Sequence, residues 1–266
     1  IKSRYLHQIE FMKHFFLFLF LIAFTAFGQK KKERVPSYFG IQVRPIFPTQ
    51  FIGSSTTNFK QNEGESVIFS STLRQKIGYS FGGTVRAGLT KLIAIETGIN
   101  FYQRNFEIDI EMADSSIMAK NDIRFISYDI PLNALFYIKL AEKWYMNASV
   151  GASINFKPTD VAVVTKPGGD NEFQHIGVAQ KKFGFDFNAN VGFEFRTEKN
   201  GFFYLGGSAS VPFKPLFDMI VNYSNQGYKS QVIEPVDGSY LSIDFKYFFP
   251  NIANKGPQFQ NGPITQ

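Results

Sequence analysis

From Phe183 to Arg196 the chain reads FGFDFNANVGFEFR, and its odd positions, Phe183, Phe185, Phe187, Ala189, Val191, Phe193 and Phe195, are all apolar. The even positions, Gly184, Asp186, Asn188, Asn190, Gly192, Glu194 and Arg196, are polar or glycine. A period of two held over fourteen residues defines a strand with one greasy and one wet face. A strand facing bulk water usually carries Lys and Glu side by side, whereas this one carries Gly, Asn and single charges. Small polar groups suit a cramped interior, so the apolar face is expected to look outward into lipid.

Eight segments repeat the alternation: 38–47, 77–89, 92–103, 126–138, 144–156, 183–196, 203–213 and 241–249. Most are ten to fourteen residues long, against about 9 to 11 for a tilted strand crossing a bilayer. No convincing helical period occurs between them. Three connections are short: Thr90-Lys91, 139–143, and 197–202 with its turn-forming Asn200-Gly201. The other four, 48–76, 104–125, 157–182 and 214–240, each run to roughly twenty residues or more, as external loops do opposite short periplasmic turns. An open sheet in lipid would leave two edges of unpaired amides, so the sheet must close. The expected fold is therefore all-β, an eight-stranded antiparallel up-and-down transmembrane β-barrel spanning 38–249, with both termini periplasmic. Aromatics gather at strand ends, as with Tyr38, Phe47, Trp144, Phe156, Phe213 and Phe249, where interfacial girdles form.

The ends read differently. Met12-Lys13-His14 precedes an apolar run from Phe15 to Phe27, and Ala26-Phe27-Gly28 has the small-x-small shape of a signal peptidase site. Residues 1–28 are read as upstream residues plus a signal peptide starting at Met12, and 29–37 as a periplasmic segment. Pro250 to Gln266 is rich in Pro, Gly, Asn and Gln and is expected to be a flexible periplasmic tail. The formal charge of +6 falls to about +4 once Lys2, Arg4, Lys13 and Glu10 leave with the leader. That surplus is diffuse, without basic clusters interleaved with aromatics, which argues against a nucleic-acid partner. The absence of Cys excludes disulfides, thiolate metal sites and a cysteine nucleophile.

Three short motifs carry a family resemblance: Tyr38-Phe39-Gly40-Ile41, Tyr128-Asp129-Ile130-Pro131-Leu132 and Ala148-Ser149-Val150-Gly151-Ala152. Across roughly Tyr38 to Phe249 the chain resembles PorT-type outer-membrane β-barrels, which share their architecture with the eight-stranded OmpX and OmpA barrels. The resemblance implies insertion by the barrel-assembly machinery, which reads an aromatic-ended last strand such as Leu241 to Phe249. Some family members belong to a protein-secretion apparatus, so an accessory role there is one alternative.

The expected inward face holds Arg44, Arg86, Arg196 and Lys246 against Glu96, Asp129, Asp186, Glu194 and Asp244. Isolated charges in a narrow lumen are costly, so these nine are expected to pair into a polar plug. A passive ion path through them is the second alternative, and a soluble lipocalin-like barrel with inverted faces the third. For catalysis, only His175 remains after the leader, in a long loop near Asp170 and Glu172, where it is expected to be solvated. Glu107, Asp109, Glu111 and Asp114 alternate with apolar residues and are expected to form a solvated face rather than a metal site. The apolar phase is odd through Phe101 but even at Phe106, Ile108 and Ile110, and odd at Ile123 and Phe125 before turning even. These matched slips suggest a bulge and a protruding ribbon whose edge takes a partner by strand addition. The functional expectation is a non-enzymatic barrel without cofactor or metal. It would act structurally, or on a protein partner through its external loops or periplasmic tail.

Overall fold

The computed structural model describes residues 37–63, 66–90, 92–112, 118–197 and 200–250; the expected signal peptide and the expected tail beyond Pro250 lie outside them. Thirteen strands occur among these residues: β1 Ser37–Pro48, β2 Thr56–Glu63, β3 Ser66–Gly88, β4 Ile93–Met112, β5 Met118–Lys139, β6 Trp144–Phe156 and β7 Val161–Gly168, then β8 Asn171–Val178, β9 Phe183–Arg196, β10 Phe202–Pro212, β11 Phe217–Asn225, β12 Tyr228–Val236 and β13 Tyr240–Phe248.

Eight of them close into an antiparallel ring in the order β1-β3-β4-β5-β6-β9-β10-β13. Closure comes from β1, which pairs with β13 on one side and β3 on the other. These eight are the alternating segments of the sequence, extended at some ends. The start of β1 and the end of β13 both stand at the rim of the short turns, where the Phe249 amide donates to the Phe39 carbonyl at 2.9 Å. The faces fall as the fourteen-residue pattern requires: Val191 is 53% exposed on the outer wall, whereas Glu194 is 0% exposed inside. Aromatic pairs mark the short-turn rim on the outside, among them Trp144 with Phe195 and Phe203 with Tyr247, both at 5.0 Å between ring centroids.

The four long connections are not loops. Strands β3, β4 and β5 run to 23, 20 and 22 residues, about twice what a bilayer crossing needs. Their far halves, with β2 laid along β3, face a second sheet of order β12-β11-β8-β7. There, β7 lies beside β5 and β12 beside β2. Between the two sheets sits an apolar core that includes Phe59, Phe69, Leu73, Phe173, Phe217, Met219 and Val221. Full burial of such side chains contributes about 1.5–3 kcal/mol each. The β11–β12 hairpin turns on Gln226 and Gly227, both at positive φ (42° and 93°), as a two-residue type I′ turn requires.

The expected bulge and ribbon are corrected by this second storey. Strands β4 and β5 keep one register from Ile93 opposite Phe136 to Glu111 opposite Met118, and the same phase points inward throughout. What changes is the chemistry of the two sides. Low on β4 the interior is polar and the outside apolar; higher up, Phe106, Ile108 and Ile110 fill an apolar core while Glu107 and Asp109 face water. The irregularity lies on β3, between Lys76 and Tyr79, where the strand passes from one storey to the other. Phe106, Ile108, Ile110, Ile123 and Phe125 are all buried in that core; β4 is paired on both sides, and the upper half of β5 has β7 beside it without a ladder.

Val191→Arg, at the middle of the outer wall, is expected to destabilise the folded chain in lipid by about 2–4 kcal/mol. Urea unfolding in liposomes measures this; a cost below about 0.5 kcal/mol, as at a water-facing surface, would reverse the orientation of the wall.

Candidate functional site

The interior of the ring is the candidate site, and it is layered along the strands. Nearest the short-turn rim, β3, β4, β9 and β13 bring Arg86, Glu96, Glu194, Arg196 and Lys246 together. Arg86 donates to Glu96 Oε2 through Nε (2.9 Å) and Nη2 (2.6 Å), and through Nη1 to Glu194 and to the Tyr137 hydroxyl (2.8 Å). Arg196 donates to Glu194 Oε2 through Nη2 at 2.9 Å, Asn147 donates to Glu194 Oε1 at 2.7 Å, and Lys246 donates to Glu96 Oε1 at 2.5 Å. Rings cover the cations, with Arg86 over Phe248 and Arg196 over Tyr145, each at 4.2 Å. Tyr204 reaches into this layer because Gly192 and Gly206 leave its phenol room that any Cβ would take. Buried charges survive when each is paired and hydrogen-bonded, and here each carboxylate meets two cations.

The next layer holds Arg44, Asp129 and Asp244. Arg44 donates to the Tyr102 hydroxyl at 2.8 Å and lies 3.7 Å from Asp244, which also accepts from Asn190 (2.8 Å), Ser242 (2.9 Å) and Ser208. Asp129 accepts from Asn100 at 2.9 Å. A cavity of about 20 Å³ opens between them, enough for about one water molecule. Above it, Asp186 accepts from Asn155 at 2.6 Å. All nine charged residues singled out in the sequence are therefore interior: five in one network, Arg44 paired with Asp244, and Asp129 and Asp186 hydrogen-bonded to asparagines.

Sequence reasoning missed two more interior cations, Arg104 and Lys157, having assigned both to loops. Their phase was the available signal: Arg104 continues the inward series Glu96, Asn100, Tyr102, and Lys157 continues Ser153, Asn155.

His175 corrects another expectation. It is not solvated but fully buried on β8, which turns Phe173, His175 and Gly177 inward. The Ser71 hydroxyl lies 2.9 Å from its Nε2. A nucleophile and base can stand at that distance, but a working triad orients the imidazole through Nδ1, and His175 Nδ1 has no partner. Burial pushes the imidazole down to about 4, so it is neutral in the core. Glu107 and Asp109 stand outward in ion pairs with Lys76, and with Arg74 and Lys120 (each 3.1 Å); Asp114 lies outside the described residues.

Residues 27–218, more than half of the chain, match the family described as outer membrane protein beta-barrel domain. The chain belongs to that family. As an outer membrane protein beta-barrel domain it resides in the outer membrane of a Gram-negative bacterium. The family match stops short of β13, which closes the ring. Among solved structures, the outer membrane protein OprG from Pseudomonas aeruginosa is similar with a TM-score of 0.48 and 10% identity, covering 81% of this chain and 97% of OprG. The beta domain of the Bordetella autotransporter BrkA gives 0.28 and 9%, covering 79% and 98%. Comparison with the curated proteins found no match.

An unfolded chain's imidazole takes up a proton near pH 6.5, whereas buried His175 resists until about 4. Between these values the unfolded state binds the extra proton, so stability is complete above about pH 6.5 and is lost as pH falls, by about 3 kcal/mol in all. Amide exchange in β8 and β11, corrected for intrinsic rates, is expected to accelerate about 100-fold between pH 7 and pH 4. His175→Met is expected to flatten that dependence.

Proposed function

We propose that this outer-membrane β-barrel is a non-enzymatic, eight-stranded up-and-down anchor with a side-chain-filled lumen, which holds a folded β-domain outside the cell as an interaction surface. One observation carries the reading: the interior is blocked twice. The Arg86–Glu194 network fills the ring near the short-turn rim, and the apolar core around Phe106 and Phe217 fills the interior above. An eight-stranded ring leaves room only for side chains, and among the described residues side chains fill both levels. The passive-channel reading lacks the continuous polar route it needs. The long connections are spent on a second folded layer, the investment expected of a surface presented to a partner.

The same reading includes PorT-type membership, on the motifs at Tyr38, Tyr128 and Ala148, cleavage of a leader after Gly28, and insertion by the barrel-assembly machinery. A protein partner would meet the outer storey, where Ile233 and Val164 present apolar side chains to solvent.

In planar bilayers the purified protein is expected to give no conductance steps. Replacing both outer hairpins, 161–178 and 217–236, by short turns leaves it silent, because the ion network alone closes the ring. Adding Arg86→Ala and Glu194→Ala to that truncation is expected to produce steps. Steady currents through the unaltered chain would overturn the plugged-anchor reading. Photocrosslinking from position 233 in intact cells tests the interaction half, with protein adducts expected there and lipid adducts from position 185.

A further inference from the structure

Charge is unevenly matched where the polar lumen gives way to the apolar core. Arg104, 4% exposed, projects inward from β4 at that level. Its guanidinium lies over the Tyr240 ring at 5.0 Å and against Gly238, where an added Cβ would meet Nη1 at 2.5 Å. Nε and Nη1 have no hydrogen-bond partner. No carboxylate among the described residues forms an ion pair with it, and the same holds for Lys157, which is 7% exposed. Asp186 is the acid whose charge reaches both cations, and its hydrogen bond goes to Asn155 instead. On the neighbouring β3, Gln75 stands opposite Phe106, the next inward residue beyond Arg104. It is 6% exposed, and neither atom of its carboxamide has a partner.

Two buried cations near one carboxylate leave a net positive charge in a medium that penalises it. Burial alone gives no reason for a guanidinium here, since methionine would fill the space without that penalty. The groups without a hydrogen-bond partner are the Arg104 Nε and Nη1 and both atoms of the Gln75 carboxamide, and among the described residues the Lys157 ammonium has no ion pair beside them. That donor set matches an oxyanion, because guanidinium pairs bidentately with carboxylate and phosphate. The Tyr240 face and the apolar wall formed by Phe106 and Phe125 would keep such a contact dry and strong. We propose that Arg104, with Lys157 and Gln75, forms an interior binding site for a small oxyanion of the carboxylate or phosphate class. The site lies between the plug and the outer core, so an anion reaches it when one of the two opens locally, whereas a standing current would need both open together.

The test uses the full chain in detergent micelles. Its thermal unfolding is followed by heat-dependent gel mobility in rising sodium phosphate or, separately, sodium acetate, with sodium chloride holding ionic strength constant. An anion that binds only the folded chain raises the midpoint as its concentration passes the dissociation constant. A rise with phosphate alone, acetate alone or both supports the site and identifies which source occupies it. Arg104→Met is expected to abolish the response and, in chloride alone, to unfold at the same temperature as the unaltered chain or higher. A guanidinium serving only structure would give a lower midpoint. Gln75→Leu, which keeps the buried charge, is expected to weaken the apparent affinity about tenfold and covers the case in which Arg104→Met does not fold. The proposal is overturned if neither anion stabilises the unaltered chain beyond chloride, or if the variants respond as it does.

Discussion

In hydrocarbon no water is available to pair with an amide, and each backbone group left open costs several kcal/mol. That constraint explains why β1 pairs with both β13 and β3, and why the ring has no edge while the outer sheet keeps two. Outside the bilayer, water satisfies an open edge, so β7 and β12 can lie beside β5 and β2 without a full ladder between them. Pro131, which cannot donate to a ladder, pairs with Ser153 of β6 but interrupts the β4–β5 ladder, which skips from Leu132 to Asp129.

A closed ring then dictates what fills it. Eight strands enclose a width that side chains must occupy, and because the outer wall takes the apolar residues, the inner wall takes the polar ones. Filling a narrow space with ions is tolerable only when they neutralise one another. The interior meets that demand best near the short-turn rim, where Glu96 and Glu194 each receive two cations. It meets it less well upward, through Asp129 and Asp186 bonded to asparagines, to Arg104 without an acid partner. The gradient runs from paired charge to unpaired charge to no charge at all.

The ring was legible from residue order because its outer wall faces one solvent along the full length of each segment. Trp144 to Phe156 and Phe183 to Arg196 alternate without a break, and both emerge as strands with those bounds. The outer storey was not legible for a related reason. On β4 the inward phase is continuous, but its outer neighbour changes from lipid to water near Gln103, so Phe101 and Phe106 are both correct choices on opposite faces. Reading apolar residues as one face turned a change of solvent into an apparent slip of phase. His175 was misplaced because a single imidazole carries no periodicity; its burial follows from Asn171, Phe173 and Gly177 on the same face of a short strand. Arg104 and Lys157 were missed because strand ends were drawn where the hydrophobic pattern stopped, although the inward polar series ran on.

The same change of solvent fixes how the two storeys are joined. A domain carried on flexible linkers would turn freely above the membrane, whereas here β3, β4 and β5 pass through both storeys as unbroken strands. Bending them at the junction would break the ladder between β4 and β5, which keeps one register from Asn100 opposite Asp129 to Glu111 opposite Met118 while β3 carries its irregularity there. The outer storey therefore has a fixed orientation relative to the ring. It also shares the ring's cooperativity, since the core residues Leu73, Phe106 and Phe125 sit on the strands that carry Arg86, Glu96 and Asp129. A load applied to the outer surface is borne by the ladder and, through it, by the ion network below. The most heavily paired charges lie nearest the short-turn rim, where Arg86 and Glu96 on two of the continuous strands meet Lys246 on β13, which closes the ring.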